Sequence, residues 1–395
     1  MRILLIDVNC KKGSTGKIVY DLYKTLRACG HEAAICYGRG LIVNEPEIFR
    51  FSSKLEVYLH ALLTRITGLT GCFSPIATHR LIRFINRFNP DVVHIHELHA
   101  YFVNIVPVMN YLAKNKIKTI WTFHCEFMYT GKCGYSYECE KWKSQCGCCP
   151  KKREYPTSWF FDFTGKMQLG KIKSFMNFNN LTIVTPSKWL ADRVKQSFLN
   201  KKEIVVIPNG IDTSVFKPYD TSAIKLKHNV MDKNTIVHVT GMFEDERKGG
   251  NYVIELAVRL PEINFFIVGN KTEIPDLPRN VTAVGRTENQ QELALYYSMA
   301  DLFIITSELE NFPTVCIEAL CCGTPVVGFV GGGTSETAPN PYGVFVPYSD
   351  CDALEEAVKS CIYGELDIKK ECAAYGNEKY SKEKMVQEYL KLYEK

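Results

Sequence analysis

The stretch Thr306–Glu336, TSELENFPTVCIEALCCGTPVVGFVGGGTSE, reads as a loop, a short helix, a tight turn and a buried strand. Glu310 and Asn311 lie in the opening loop. Pro313 suits a first helical position, and TVCIEALCC predicts one short helix. Gly323 follows where a C′ glycine ends a helix. Thr324-Pro325 turns into the apolar strand PVVGFV, and Gly331–Gly333 turn again into a second helix start. A helix N-terminus offers unpaired N–H groups to an anion. Glu310 and Glu318 can each hold a pair of hydroxyls by charge-assisted hydrogen bonds. The pattern points to a sugar and phosphate site on an αβ unit. Two exposed glutamates around an ordinary αβ unit are the plain alternative.

Glu310, the seven residues NFPTVCI, Glu318, Ala319-Leu320, the turn Gly323-Thr324-Pro325 and the later GGGTSE follow one another in order. In that order they resemble the C-terminal signature of the retaining, nucleotide-sugar-dependent glycosyltransferases of family four, which have the GT-B fold. The resemblance implies an α/β protein: two Rossmann-like, doubly wound parallel-sheet domains facing across a cleft. It implies that Glu318 holds the nucleotide ribose and Glu310 the sugar hydroxyls. The backbone of Asn311, Phe312, Pro313 and Thr314 would help to bind the donor.

The bulk numbers are those of a soluble globular protein. The 395 residues suffice for two or three domains, with 46% hydrophobic and 23% charged residues. A net charge of +5 is mild, and no recognition-module signature is present, so nucleic acid is not an expected partner. The opening MRILLIDVN is interrupted by Asp7 too early for a signal peptide, and no apolar run reaches the length of a membrane span. The expected location is cytoplasmic, with a peripheral place on the inner face of the membrane left open.

MRILLIDVN predicts a buried strand, Lys11–Gly16 a glycine loop, KIVYDLYKTLRACG an amphipathic helix, and HEAAICYG a second strand. This is how a parallel doubly wound sheet opens. The loop lacks the Gly-Lys-Ser/Thr ending of a Walker motif. It resembles the glycine loop of the same glycosyltransferases, in which Gly16 would let the backbone approach the donor phosphates or the acceptor. A tight turn shaped by Gly13 and Gly16 is the alternative.

Residues 54–88 predict helix, with Leu81, Phe84, Ile85 and Phe88 on one face and Arg80, Arg83 and Arg87 nearby. Such a face either lies on an anionic membrane or is merely solvated. DVVHIHELH and IKTIWTFHC predict further strands. His124 falls just past the second, where ligands bind in open α/β sheets. It matches the histidine that the family places beside the donor sugar's reacting carbon. The related enzymes usually follow it with Asp, and this chain has Cys125. His94, His96 and His99 are rivals with structural or acceptor-related roles.

Of 16 cysteines, five fall between Cys133 and Cys149. In a reducing compartment such a cluster reads as metal-binding before disulfide. Four thiolates with one pair two residues apart suit a closed tetrahedral zinc site. The run resembles a cysteine-rich insertion in bacterial exopolysaccharide glycosyltransferases, including colanic-acid-type enzymes. That match favours Cys133, Cys139, Cys146 and Cys149 as ligands of a structural zinc, with Cys148 as the spare; free thiols in a loop are the alternative. The basic and aromatic segment 151–178 suits an anionic membrane or a lipid-linked acceptor as well as it suits core packing.

Ser187 is placed to cap the helix KWLADRVKQSFL. Pro208–Asp212 matches the family's interdomain segment. The chain divides into an N-terminal acceptor domain, 1–210, with the cysteine-rich insertion at 125–155; an irregular linker, 211–233; a nucleotide-sugar domain, 234–378; and a C-terminal helix, 379–395, expected to cross back to the first domain. Lys248 fits the family's later Lys-Gly, and Arg247 is the adjacent cation, because Met242 and Phe243 occupy the usual Arg positions. Two cations at a helix start oppose the helix dipole unless an anion sits between them. Asp350 and Asp352 imitate a metal-binding Asp-x-Asp, but Asp352, three residues before Glu355, reads as a capping box.

The resemblance implies transfer of a sugar, with retention, from a nucleoside diphosphate sugar to a glycan or lipid-linked glycan acceptor of a surface polysaccharide pathway. Lys248, Arg247 and the nearby helix terminus would stabilise the leaving diphosphate, so that no catalytic metal or other cofactor is needed. His124 would bond the donor sugar, and the acceptor would attack from the front face. A sugar-nucleotide epimerase of the same fold and a non-catalytic glycan-binding scaffold are the competing readings.

Overall fold

The computed structural model describes residues 1–364 and 368–395. The chain divides into two compact units, Met1–Pro208 with Val386–Lys395, and Asn209–Met385.

The first unit is built on β1 (Arg2–Asp7), β2 (Glu32–Tyr37), β3 (Ile48–Arg50), β4 (Val92–Ile95), β5 (Lys118–Thr122), β6 (Leu181–Thr185) and β7 (Glu203–Val206). Their order across the sheet is β3-β2-β1-β4-β5-β6-β7, and all pairs are parallel. The central strands are apolar runs because helices cover both faces; Ile3, Leu4, Leu5 and Ile6 are all fully buried. Strand order reverses between β1 and β4, which pair Ile3 to Val92 and Ile6 to Ile95. The carboxyl ends of these two strands are therefore the place where an open α/β sheet binds ligands.

The second unit repeats this plan with β8 (Thr235–Val239), β9 (Asn264–Val268), β10 (Val281–Val284), β11 (Leu302–Ile305), β12 (Val326–Phe329) and β13 (Gly343–Val346), ordered β10-β9-β8-β11-β12-β13. Here the reversal lies between β8 and β11. The two doubly wound parallel sheets agree with the fold class read from sequence.

The last helix, Lys382–Glu394, enters the first unit with its final turns. Tyr393 Oη lies 2.7 Å from His94 Nδ1, and Tyr389 Oη lies 2.8 Å from Thr122 Oγ1. His94 Nε2 is 2.8 Å from the same Thr122 oxygen, so His94 is saturated in the interior and its role is structural.

Several local expectations change. Residues 54–88 form two helices, Lys54–Thr67 and Pro75–Phe88. Ser53 caps the first, accepting from Glu56 N at 3.2 Å, and Gly68, at φ +79°, ends it. The face of Leu81, Phe84, Ile85 and Phe88 packs into the core, so it is not a membrane face. Stretch 211–233 is not irregular throughout: it carries the helix Ser222–Lys227 and belongs to the second unit. The cap of helix Cys351–Tyr363 is Asp350, whose Oδ1 accepts from Ala353 N at 2.9 Å. Asp352 sits in the first turn and pairs with Arg259 at 2.6 Å. Ser187 does cap its helix, accepting from Leu190 N at 3.1 Å.

Glycines mark where backbone meets backbone. Gly249, at φ +65°, lies so close to the end of β11 that an added Cβ would sit 2.2 Å from Thr306 O. Gly170, inside helix Thr164–Met176, has nothing within 4 Å of that position. Gly249→Ala should therefore cost roughly 2–4 kcal/mol through left-handed strain and overpacking. Gly170→Ala should gain about 0.5–1 kcal/mol by stiffening the unfolded chain. Denaturant melts of both variants check the pair of opposite signs.

Candidate functional site

In the second unit the candidate residues come from the two loops flanking the strand-order reversal. Lys248 ends a 3-10 turn, Glu246–Lys248, after β8, and Glu310 lies in the loop after β11. Lys248 Nζ donates to Glu310 Oε1 at 2.5 Å, with the lysine side chain 33% and the glutamate 16% exposed. Backbone contacts fix both loops. Thr306 Oγ1 donates to Lys248 O at 3.1 Å, and Glu308 N donates to Arg247 O at 2.9 Å. From the other side, Gly333 N donates to Glu310 O at 2.9 Å. A Cβ on Gly332 would meet Glu310 O at 2.1 Å, and one on Gly331 would meet Glu308 O at 2.4 Å. The glycine turn is thus required for close approach to the Glu310 loop.

Arg247 points its guanidinium at Asp245, with Nη2–Oδ2 at 2.6 Å. The stretch that lacks the usual Arg is explained in part: Phe243 is a core residue, its amide bonded to Asn270 Oδ1 at 3.1 Å and its ring against Gly250. Met242 stays exposed.

Helix Thr314–Cys321 follows Glu310 directly, with Pro313 at the cap position rather than inside the first turn. No side chain caps this helix start; Cys316 N is taken by Pro313 O at 3.2 Å, and the amides of Thr314 and Val315 are the ones placed to meet an anion. Asn311 and Phe312 are buried, and Asn209 Nδ2 holds Phe312 O at 3.2 Å. Glu318 is half-buried and accepts from Tyr297 Oη at 3.0 Å. Glu310 and Glu318 both act on the buried Cys316 thiol, which burial first, and then their charges, push above its ordinary range.

In the first unit a second polar cluster gathers at the carboxyl ends of β1, β4 and β5. His124 follows β5 by two residues, and its Nε2 is 3.0 Å from His96 Nδ1, with the rings stacked at 5.3 Å. Burial lowers both imidazoles, so they stand neutral near pH 7. Glu97 is ion-paired with His99 Nδ1 and receives the Cys125 thiol at 3.9 Å. A carboxylate therefore lies beside position 125 even though Asp is missing there. Burial opposes the ionisation of both Glu97 and His99, but their mutual attraction outweighs it, holding the acid down and the base up.

Asp7 is fully buried at the end of β1 and accepts from Glu97 N at 3.1 Å and from Thr15 Oγ1 at 3.2 Å. Burial, reinforced by the nearby Glu97, raises its carboxyl to about 7. Sequence reasoning missed Asp7 and Glu97 as site residues; their places at the carboxyl ends of β1 and β4 were the available signal. Gly16 lies in helix Ser14–Ala28 against the loop after β1, where a Cβ would meet Asn9 C at 3.1 Å. Its smallness serves that packing directly.

Glu97, His99 and Cys125 bring ligand-type atoms within 4.8 Å of one another, and among the described residues no other group of three does so. The four cysteines expected to bind zinc line one small cavity with Lys132 and Trp142, and Cys148 is exposed outside it. Cys133 donates its thiol to Cys149, and that bond, more than any other influence, holds the Cys149 thiol below its ordinary range. No three of these thiols lie within 4.8 Å of one another, whereas a zinc ion would hold all four about 3.8 Å apart. The donor set suits zinc, but the spacing is wider than a bound ion imposes. No helix among the described residues is long and apolar enough to cross a membrane.

A family model described as Glycosyltransferase Family 4 matches residues 15–215, and one described as Glycosyl transferases group 1 matches residues 220–382. Among curated relatives, a protein of Escherichia coli (strain K12) assigned to colanic acid biosynthesis as the glycosyl transferase WcaC is 24% identical over the full length of both chains. Among solved structures, the sucrose-phosphate synthase of Thermosynechococcus elongatus superposes with a TM-score of 0.73 at 17% identity, covering 100% of this chain and 98% of its own. Anabaena Alr3699/HepE in complex with UDP-glucose gives a TM-score of 0.68 at 14% identity over 99% of each chain. These structural likenesses show a shared fold. With one family model covering half of the chain and the second covering most of the remainder, this glycosyltransferase chain belongs to Glycosyltransferase Family 4.

Proposed function

We propose that the protein is a retaining glycosyltransferase that moves a sugar from a nucleoside diphosphate sugar to a lipid-linked glycan acceptor in surface polysaccharide biosynthesis. The observation that carries this reading is the Lys248–Glu310 pair, held at 2.5 Å by backbone-locked loops at the start of helix Thr314–Cys321. A diphosphate suits that place: it would take over Lys248 from Glu310, release the carboxylate to sugar hydroxyls, and accept the first helical amides. Arg247 adds a second cation beside it. Glu318, steadied by Tyr297, takes the ribose hydroxyls.

Stabilisation of the leaving diphosphate by fixed cations and amides supplies the main catalytic effect. Metal-independent catalysis fits this arrangement, since Asp350 is committed to a helix cap and Asp352 to Arg259. His124, half-buried and neutral, would bond the donor sugar through its ring. The names of two similar proteins support the donor and pathway: one is a complex with UDP-glucose, and the other belongs to colanic acid biosynthesis.

Cys133, Cys139, Cys146 and Cys149 are assigned to a structural zinc ion, on their shared cavity and on the exclusion of Cys148 from it. Closure of the four thiolates on the ion would draw them together.

Glu310→Ala and Lys248→Ala should each lower kcat by about 10²–10³-fold while leaving the melting curve intact. Product release from a panel of nucleoside diphosphate sugars, with circular dichroism as the folding check, measures this. Undiminished turnover in both variants would remove the pair from the mechanism. Purified protein should carry zinc by elemental analysis, and Cys133→Ser or Cys149→Ser should lose the metal together with several degrees of melting temperature. Metal-free protein that melts at the same temperature as the metal-loaded form would contradict the zinc assignment.

A further inference from the structure

Helix Lys54–Thr67 has two apolar faces. One, with Val57, His60 and Ala61, is buried against the first unit. The other carries Leu55, Tyr58, Leu59 and Leu62, which are 79%, 73%, 52% and 45% exposed. Their spacing of three, four and seven residues makes a continuous stripe, the pattern that normally faces a core. Nothing in the unit covers it. Ile76, 60% exposed at the start of the next helix, is tied to the beginning of this one: Ala77 N donates to Glu56 Oε1 at 2.9 Å.

At the other end of the stripe the chain places an aromatic loop. Trp159 N donates to Arg65 O at 2.7 Å, and a Cβ on Gly68 would touch Phe161 O at 2.7 Å. Trp159, Phe160, Phe161 and Phe163 are all exposed and form a chain of ring contacts, each at 5.8–6.4 Å between centroids. Lys166 lies over the Phe163 ring at 5.7 Å. An exposed surface that combines a leucine stripe with aromatic rings marks an interaction site.

Its charge says with what. Over residues 54–67, 75–83 and 151–173, the exposed ionisable side chains include Lys54, Arg80, Arg83, Arg153, Lys166 and Lys173, against one exposed carboxylate, Glu154. A cationic rim around an apolar and aromatic centre complements an anionic lipid surface, where rings and leucines enter the acyl boundary and lysine and arginine meet the headgroups. The helix itself stands beside the first unit's polar cluster. Tyr101, two residues beyond His99, contacts the His60 ring of this helix at 5.9 Å and the Arg65 guanidinium at 5.9 Å.

We infer that the exposed face of helix Lys54–Thr67, together with the Trp159–Phe163 loop, docks the protein on an anionic lipid bilayer and brings the polar cluster after β4 to the membrane surface. This rests on the lipid-linked acceptor reading for its purpose, but its test does not. Full-length protein is sedimented with vesicles of phosphatidylglycerol and phosphatidylcholine, and with phosphatidylcholine alone, without donor or acceptor. Two variants are compared with the wild type: Leu55→Ser with Leu59→Ser and Leu62→Ser, and Trp159→Ala with Phe160→Ala and Phe161→Ala.

The wild type should bind the anionic vesicles, more weakly as salt rises, and each variant should lose at least about tenfold in partitioning with its melting temperature unchanged. Four results would overturn the inference: no binding to anionic vesicles, equal binding to phosphatidylcholine alone, variants that bind like the wild type, or light scattering that shows a dimer which the substitutions dissolve. Melting shifts with nucleoside diphosphates, run on the same samples, report the donor site separately.

Discussion

The ion pair between Lys248 and Glu310 depends on three places where glycine lets backbone touch backbone. Gly249 rests on Thr306 O, Gly331 on Glu308 O, and Gly332 on Glu310 O. A side chain at Gly249 would push the loops after β8 and β11 apart, and one at Gly331 or Gly332 would push the turn after β12 off the Glu310 loop. The pair is only partly shielded from water, so its own contribution to stability is small, about 1 kcal/mol or less. Its value lies in position. Two opposite charges are held at the strand-order reversal, beside the start of helix Thr314–Cys321, where the proposed diphosphate would exchange for the carboxylate. Preorganised charge of this kind needs no reorganisation as the leaving group develops its own.

The first unit uses the same topological place with different chemistry. Its cluster is rich in neutral and paired groups: His96 and His124 are kept uncharged by burial, Glu97 is matched to His99, and burial pushes Asp7 up to about 7. The last helix supports it from below, because Tyr389 and Tyr393 saturate Thr122 and His94 on the strands that carry the cluster.

Much of this was legible in the sequence, for a physical reason. Parallel strands covered on both faces read as unbroken apolar runs, so MRILLIDVN, DVVHIHELH and IKTIWTFHC mark their own strands. Glu310 in a loop and Glu318 in the following helix are legible together because Pro313 and the run TVCIEALC mark the helix start between them. What the sequence could not separate were alternatives that only tertiary packing decides. Residues 55–62 and 81–88 both carry the three-and-four spacing of an amphipathic helix, yet the second is covered and the first is bare. Asp350 and Asp352 are both within reach of a helix start, and the actual cap followed from which side chain pointed back at Ala353 N. Asp7 and Glu97 were hidden as single acids at the ends of apolar runs. The cysteine spacing suggested four ligands, but how closely the thiols approach is set by the surrounding loop.

The central claim is that the second unit binds a nucleoside diphosphate through its switch-point loops and helix start. The most direct measurement is the melting temperature of the protein titrated with uridine, guanosine, adenosine and thymidine diphosphates, alongside Glu318→Ala. Ligand that binds only the folded state raises the melting temperature by mass action. The account predicts a concentration-dependent rise with one nucleotide series in the wild type and its loss in Glu318→Ala. No rise with any of the four, or an undiminished rise in Glu318→Ala, would contradict it.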